Sequence, residues 1–80
     1  MKIREATVLR IKELCKDKEL SFNALANISG LSPSTLKNIL NGNSKNPGIS
    51  TIKIICDGMD ITIRDFFDSI IFDKLDQEIE

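Results

Sequence analysis

Apolar side chains recur along this chain at intervals of three and four residues, rather than at the two-residue alternation typical of strands. Intervals of three and four place side chains on one face of an α-helix. Short polar or glycine-containing segments separate five such stretches. The first three predicted helices cover about residues 4–18, 22–28 and 33–41. A fourth begins after a Ser50 cap, and a fifth runs from Thr62 to about Leu75. The pattern therefore predicts an all-α fold.

Each predicted helix has an apolar face that we expect to be buried. The chain has 80 residues, which suits a single domain that buries about 60 to 65% of its unfolded surface. We expect one domain over residues 1–80, with a core at about 4–68 and an acidic, apolar C-terminal segment at 69–80. The expected core positions are Val8, Ile11, Leu14 and Cys15 in the first helix, Phe22, Leu25, Ala26 and Ile28 in the second, Leu36, Ile39 and Leu40 in the third, and Ile52, Ile55, Cys56 and Met59 in the fourth.

The segment around residue 30 has the composition of a tight turn between two helices. Ser21 is suited to cap the second helix, and Gly30 supplies the left-handed backbone conformation that ends it. Leu31 fills the corner, and Ser32 is a second cap. Pro33 takes the first helical position, where its missing N–H costs nothing. Two short helices joined by a glycine turn are expected here.

The outward positions of the third predicted helix form a polar stripe. Ser34, Lys37, Asn38 and Asn41 recur at i, i+3, i+4 and i+7, opposite the apolar face of the same helix. All four side chains form hydrogen bonds. The stripe is therefore a candidate binding surface, with an ordinary solvated helix face as the alternative.

Together these features resemble the helix-turn-helix of the lambda-repressor and Cro-like (XRE) family of DNA-binding proteins. The resemblance covers about residues 4–68 and implies a compact five-helix DNA-binding domain with the motif at helices 2 and 3. Many family members begin the first motif helix with a Gln that grips a phosphate, where this chain has Phe22. One expected backbone contact is therefore missing, and Asn23 or the helix N-terminus is the candidate to replace it. The matching residues are Leu25, Ala26, Gly30, Leu31, Leu36 and Ile39.

The resemblance implies that the third helix enters the major groove of double-stranded DNA and contacts base edges. The implied base-reading residues are Ser34, Thr35, Lys37 and Asn38, of which Asn38 is the best candidate because its amide can pair bidentately with adenine. Capping is the alternative role of Ser32, and turn chemistry is the alternative for Asn41 and the loop after it. The implied contacts to the DNA backbone are Asn23, Asn27, Ser32, Asn41, Asn43, Ser44, Lys45 and Asn46.

The formal net charge of −1 argues at first sight against a polyanionic partner. Its distribution reverses that impression, because residues 1–64 carry ten basic and six acidic side chains whereas residues 65–80 carry one basic and six acidic. Between residues 20 and 56 there are three lysines, Lys37, Lys45 and Lys53, and no carboxylate. Three cations are few, so we expect modest, salt-sensitive binding that becomes useful when two subunits engage together.

The C-terminal segment carries more apolar side chains than a last helix needs to cover the core. We expect part of it to form the two-fold interface of a homodimer. The alternative is that Phe66, Phe67 and Ile70 complete the core of a monomer while the acidic tail frays. The candidate dimer residues are Phe67, Ile70, Ile71, Phe72 and Leu75.

The residues needed for most enzyme chemistry are missing from the sequence. There is no His to act as a general base or metal ligand, and there is no glycine-rich phosphate motif. Cys15 and Cys56 lie on apolar stripes and are expected to be reduced core residues. No signal peptide and no apolar run of about 20 residues is visible. We expect a cytoplasmic protein without enzymatic activity, metal, cofactor or membrane contact.

Two functions are compatible with these observations. The first is a sequence-specific DNA-binding transcriptional regulator, expected to be a repressor because so small a chain has no obvious surface or domain for activation. The second is a protein-interaction module or antitoxin-like subunit whose C-terminal segment holds a protein partner such as a toxin, as in some family members. The carboxylate-free segment and its polar stripe favour the first, whereas Phe22 and the low total charge leave the second open.

Overall fold

The computed structural model of the chain describes residues 1–42 and 47–79. No strand occurs within these residues, and the predicted all-α fold with five helices is confirmed. A single 3₁₀ turn at Ile70–Phe72 follows the last helix. The helices are α1 (Ile3–Asp17), α2 (Phe22–Ser29), α3 (Pro33–Leu40), α4 (Ile49–Met59) and α5 (Ile63–Phe67).

Side-chain caps fix the ends of the helices on both sides of the turn. Ser21 Oγ and Ser32 Oγ each accept a hydrogen bond of 3.1 Å from the backbone N–H three residues later. Gly30 ends α2 in the left-handed conformation with φ of 71°, and Pro33 opens α3. The caps satisfy N–H groups that a helix leaves unpaired at its start. The turn predicted from the sequence is therefore confirmed.

The core forms where the apolar faces of the helices meet. α2 packs mainly against α4 and α3. Val8 and Leu31 are half-buried against this core. The apolar faces predicted for α1, α3 and α4 are therefore buried as predicted, except that Val8 is only half-buried. The buried apolar cluster comprises Ile11, Leu14, Cys15, Leu25, Ala26, Leu36, Ile39, Leu40, Ile52, Ile55, Cys56, Met59 and Phe66.

Two apolar residues of α2 lie on the surface, contrary to the prediction. Phe22 is 45% exposed and Ile28 is 49% exposed. Phe22 is the first residue of α2, where a surface cleft rather than another helix adjoins the ring. Near the other end of the helix, Ser29 takes the position that faces α4, so Ile28 turns toward solvent. The prediction of both as core residues was wrong.

α2 and α4 approach most closely at Ser29 and Gly58. A Cβ atom added to Gly58 would lie 2.5 Å from Ser29 Oγ, closer than real Cβ contacts, and 3.1 Å from Ser29 Cα, tighter than most of them. The glycine therefore allows two helix backbones to meet where no larger residue fits. Ser29 Oγ is buried at this contact and has no hydrogen-bond partner in the described part of the chain.

Arg10 on α1 is a buried cation that holds the end of α5. Its guanidinium donates hydrogen bonds to the carbonyl oxygens of Phe66 at 2.6 Å, Asp65 at 2.8 Å and Asp68 at 3.4 Å, and it also pairs with Glu13. The last carbonyls of a helix have no partner within that helix, and a guanidinium supplies several donors in a fixed fork. Arg10 therefore clamps the C-terminus of α5 to α1.

Two helix boundaries differ from the prediction. α4 begins at Ile49 with Gly48 as its cap, so the expected cap Ser50 lies inside the first turn. Glycine is an acceptable cap because it adopts the extended conformation required there without steric cost. α5 ends at Phe67 instead of continuing to about Leu75.

The chain turns back after α5. Ser69 is extended, with φ of −155° and ψ of 141°, and its Oγ accepts a hydrogen bond from the Ile71 N–H at 3.4 Å. The turn brings the Phe72 ring to 5.0 Å from Phe67 and 6.3 Å from Phe66, measured between ring centroids. Packing of Phe72 on the core thus replaces the longer helix that the apolar spacing suggested.

A capping box opens α5, as predicted. The Thr62 N–H donates to Asp65 Oδ2 at 3.1 Å, and the Asp65 N–H donates to Thr62 Oγ1 at 3.0 Å. The hydrogen bonds from Thr62 favour the ionised carboxylate and lower the pKa of Asp65 below its ordinary value. Both residues are exposed, so the box fixes the start of α5 without adding to the core.

The acidic tail docks on the start of α1 and does not fray as the alternative reading of the sequence suggested. The Asp76 N–H donates to the Met1 carbonyl oxygen at 2.9 Å, and Asp76 Oδ2 accepts a hydrogen bond from the Met1 ammonium at 2.7 Å. Glu78 Oε2 accepts a hydrogen bond from the Ile3 N–H at 3.4 Å. Carboxylates are favourable at a helix N-terminus because the helix dipole is positive there.

Replacing Arg10 with Leu should lower the free energy of unfolding by about 2 to 4 kcal/mol, because the carbonyl groups that it binds would lose their donor. Chemical denaturation followed by circular dichroism measures this change. Arg64→Leu makes the same substitution at an exposed site on α5 and should shift the free energy by less than about 0.5 kcal/mol. Equal, small effects of the two substitutions would contradict the clamp.

Replacing Gly58 with Ala should also destabilise the fold. In an unobstructed helix this change stabilises by about 0.5 to 1 kcal/mol, but here the added methyl group meets Ser29, and we expect a net loss of about 1 to 2 kcal/mol. The same denaturation experiment measures it. Ser29→Ala, which removes the unpartnered hydroxyl, should leave the stability unchanged or raise it. A Gly58→Ala protein more stable than the parent would disprove the close approach.

Candidate nucleic-acid interface

α3 presents one uncovered polar face. Ser34, Thr35, Lys37 and Asn38 are all exposed, whereas the three apolar side chains of the same helix are buried. The hydroxyl, ammonium and amide groups of these side chains are the donors and acceptors that read base edges. The structure therefore leaves the four residues predicted to read bases open to solvent on a single helix.

The first turn of α3 is held by its own side chains. Ser32 Oγ accepts a hydrogen bond from the Thr35 N–H, and the Ser32 hydroxyl donates to Thr35 Oγ1 at 2.8 Å. The capping role of Ser32 is confirmed. Because Thr35 Oγ1 is already an acceptor within this turn, its orientation is set before any ligand arrives.

A surface cleft of about 440 Å³ opens between α3, the start of α2 and α1. Its walls combine apolar and polar side chains, and the described residues that line it include no carboxylate. The cleft brings two predicted base-reading residues together with two predicted backbone contacts. The lining residues are Lys12, Phe22, Asn23, Pro33, Ser34, Leu36, Lys37, Leu40 and Asn41.

Lys12 is a cation of this cleft that the sequence did not single out. It is exposed on α1, and no ion pair links it to any residue of 1–42 or 47–79. Lys12 lines the same cleft as Lys37 because of how α1 packs against the other helices, and a local sequence pattern does not predict that packing. Lys53, which the sequence analysis counted among the cations of this region, is paired with Asp57 on α4.

The predicted backbone contacts are only partly brought together. Asn23 and Asn41 line the cleft, and Ser32 is the cap at the start of α3. Asn27 is exposed on α2 outside the cleft. The other predicted contacts lie outside the described residues and are Asn43, Ser44, Lys45 and Asn46.

The predicted dimer residues do not share one helix, because α5 ends before most of them. Phe67 and Phe72 pack against the core, and Ile71 and Leu75 are half-buried. The monomer alternative had Ile70 complete the core, but Ile70 is 83% exposed. The prediction that one continuous helix carries these residues is therefore wrong. Ile70 is the residue of this set that is most open to a partner.

The two thiols are structural. Cys15 and Cys56 are buried and free, as predicted. Burial raises the pKa of both thiols, which disfavours the reactive thiolate. In the described ranges, no three His, Cys, Asp or Glu side chains are grouped as a metal site would require. None of the described helices has the length and apolar character to cross a bilayer.

Comparison with known proteins assigns the fold to a family. The profile of the Cro/C1-type helix-turn-helix (HTH) DNA-binding domain matches residues 10–70. A similar solved structure is the crystal structure of the prophage Lp1 protein 11, with 33% sequence identity, a TM-score of 0.81, and coverage of 94% of this chain and 100% of that one. No curated protein matches the chain. The matched residues include α3 and every residue that lines the cleft, and the chain belongs to the Cro/C1-type helix-turn-helix family of DNA-binding domains.

Proposed function

We propose that this chain is a sequence-specific DNA-binding transcriptional regulator that reads the major groove with α3. The observation that carries the proposal is the uncovered stripe of Ser34, Lys37 and Asn38 on the second helix of an HTH domain, continued by Asn41 at the C-cap of that helix. An α-helix fits the major groove of B-DNA, and polar side chains on its outer face reach the base edges.

The side chains of the stripe have distinct proposed roles. Asn38 pairs with adenine through its amide, and Lys37 reaches a guanine or a phosphate. Ser34 and Thr35 are short enough to contact a base or the sugar-phosphate backbone. The residues proposed to contact the backbone outside the stripe are Asn23, Asn27 and Ser32.

The charge of the cleft supports docking on a polyanion. Lys12 and Lys37 lie on its walls with no described ion-pair partner, and the described residues that line the cleft include no carboxylate to oppose them. Each phosphate that a lysine neutralises releases counterions and so contributes to affinity. The phenyl side chain of Phe22 cannot bind a phosphate through a hydrogen bond. We therefore assign to Lys12 part of the backbone contact that the Phe22 side chain does not supply.

Repression is the regulatory outcome that we propose, because a protein bound to an operator excludes other proteins without any further contact. A homodimer suits this role, since a two-fold pair of α3 helices reads half-sites about one DNA turn apart. Two weak, charge-poor interfaces also bind more tightly when they are linked. Ile70, with the half-buried Ile71 and Leu75 near it in sequence, offers apolar surface for such a contact.

The alternative is a protein-interaction or antitoxin-like role for the C-terminal segment. Within that segment, Asp76 already bonds to Met1 and Glu78 to Ile3, the first residue of α1. A partner at this surface has to displace those contacts or bind around them. The intramolecular docking of the tail thus supports DNA reading by α3 over capture of a partner by a free tail.

Selection of a randomised duplex library on the protein, at low and moderate salt, tests the proposal. We expect a two-fold symmetric site to be enriched. Asn38→Ala should cost about 1 to 3 kcal/mol on that site and relax the choice at one base position. Asn27→Ala makes the same change at a proposed backbone contact and should weaken all sequences alike. Failure to enrich any sequence, or uniform losses for both variants, would argue against reading by α3.

Replacing Lys12 with Gln should reduce the salt dependence of DNA binding. The slope of log affinity against log salt should become shallower by about 0.9 for the phosphate contact that is lost. Fluorescence anisotropy on the selected duplex at several salt concentrations measures this slope. Lys53→Gln removes the same charge outside the cleft, from an ammonium already paired with Asp57, and should change the slope less. A Lys53→Gln effect as large as that of Lys12→Gln would contradict the assignment.

A further inference from the structure

Phe22 is an aromatic side chain that the core does not use. Its ring is 45% exposed, whereas Phe66 is buried and Phe67 and Phe72 pack against the core. The ring-to-ring contacts of the described residues all lie among those three other phenylalanines. Covering an exposed phenyl ring is favourable, so a ligand that buries Phe22 gains affinity from it.

The position of Phe22 relative to α3 is fixed by the start of α2. Ser21 caps that helix through its hydrogen bond to the Ala24 N–H, which sets Phe22 as the first helical residue. The ring lines the cleft that Ser34 and Lys37 also line. Phe22 therefore shares the cleft with Ser34 and Lys37, two of the residues proposed to read bases.

The chemistry of the ring limits what it can recognise in DNA. A phenyl group has no hydrogen-bond donor, so it cannot grip a phosphate or pair with a polar base edge. The apolar group that the major groove displays is the 5-methyl group of thymine, which phenylalanine side chains contact. Lys12 and Lys37 border the same cleft and supply the charge that brings the polyanion to the ring.

We propose that Phe22 is a specificity-determining residue whose ring contacts the 5-methyl group of a thymine next to the bases read by α3. This inference rests on the proposed function. It gives the first residue of α2 a role in choosing sequence, in place of the phosphate contact that a polar side chain makes at that position.

Deoxyuridine substitution tests the proposal, because it removes one methyl group and leaves base pairing intact. Each thymine of the selected site is replaced in turn, and the Kd is measured for the parent protein, Phe22→Ala and Phe22→Gln. We expect one position per half-site at which deoxyuridine weakens parent binding by about three- to fivefold, the value of one buried methyl group. Both variants should lose that sensitivity, with the ratio of Kd values near one.

Ile28→Ala is the matched control, since Ile28 is 49% exposed on the same helix but outside the cleft. It should keep the full deoxyuridine effect. Thermal melts of all variants should agree within a few degrees, because the ring is not a core residue. An unchanged deoxyuridine effect in Phe22→Ala on a site that is still selected would overturn this inference alone. If no site is selected at all, the proposed function and the inference both fail.

Discussion

The close contact between Ser29 and Gly58 fixes how α2, the helix on which α3 packs, meets α4. α3 packs mainly against α2, and α2 packs mainly against α4, so the position of α3 relative to α4 depends on how closely α2 and α4 approach. Packed interiors change arrangement in steps and do not deform smoothly. The missing side chain of one glycine therefore sets the geometry of a surface on the other side of α2.

Local structure around the turn was predictable because its causes lie within a few residues. Gly30 and Ser32 act through backbone conformation and hydrogen bonds to near neighbours, and the spacing of apolar residues told which side of α3 is buried. The exposure of Asn38 followed from the same spacing. The residues of the stripe could thus be predicted from the sequence, whereas the side chains that lie next to them in the fold could not.

Features that depend on packing between distant elements were not predictable in this way. The apolar residues after Phe67 continue the spacing of a helix, yet α5 ends there and the turn that follows packs Phe72 against Phe66 and Phe67. Arg10 and Lys12 are two cations on the same amphipathic helix. One is buried on the carbonyls of α5 and the other lines the cleft, and only the arrangement of the neighbouring helices distinguishes them.

The composition of the cleft also determines which cellular variable acts on it. The chain contains no His, the side chain whose ordinary pKa would change its charge between about pH 5 and 8. Burial moves the pKa of both thiols further above that range. The positive charge of the cleft comes from lysine ammonium groups with no carboxylate among the residues that line it. With no histidine in the chain and no carboxylate among the described residues of the cleft, ionic strength, which screens exposed charges, is the variable that acts on this surface most directly.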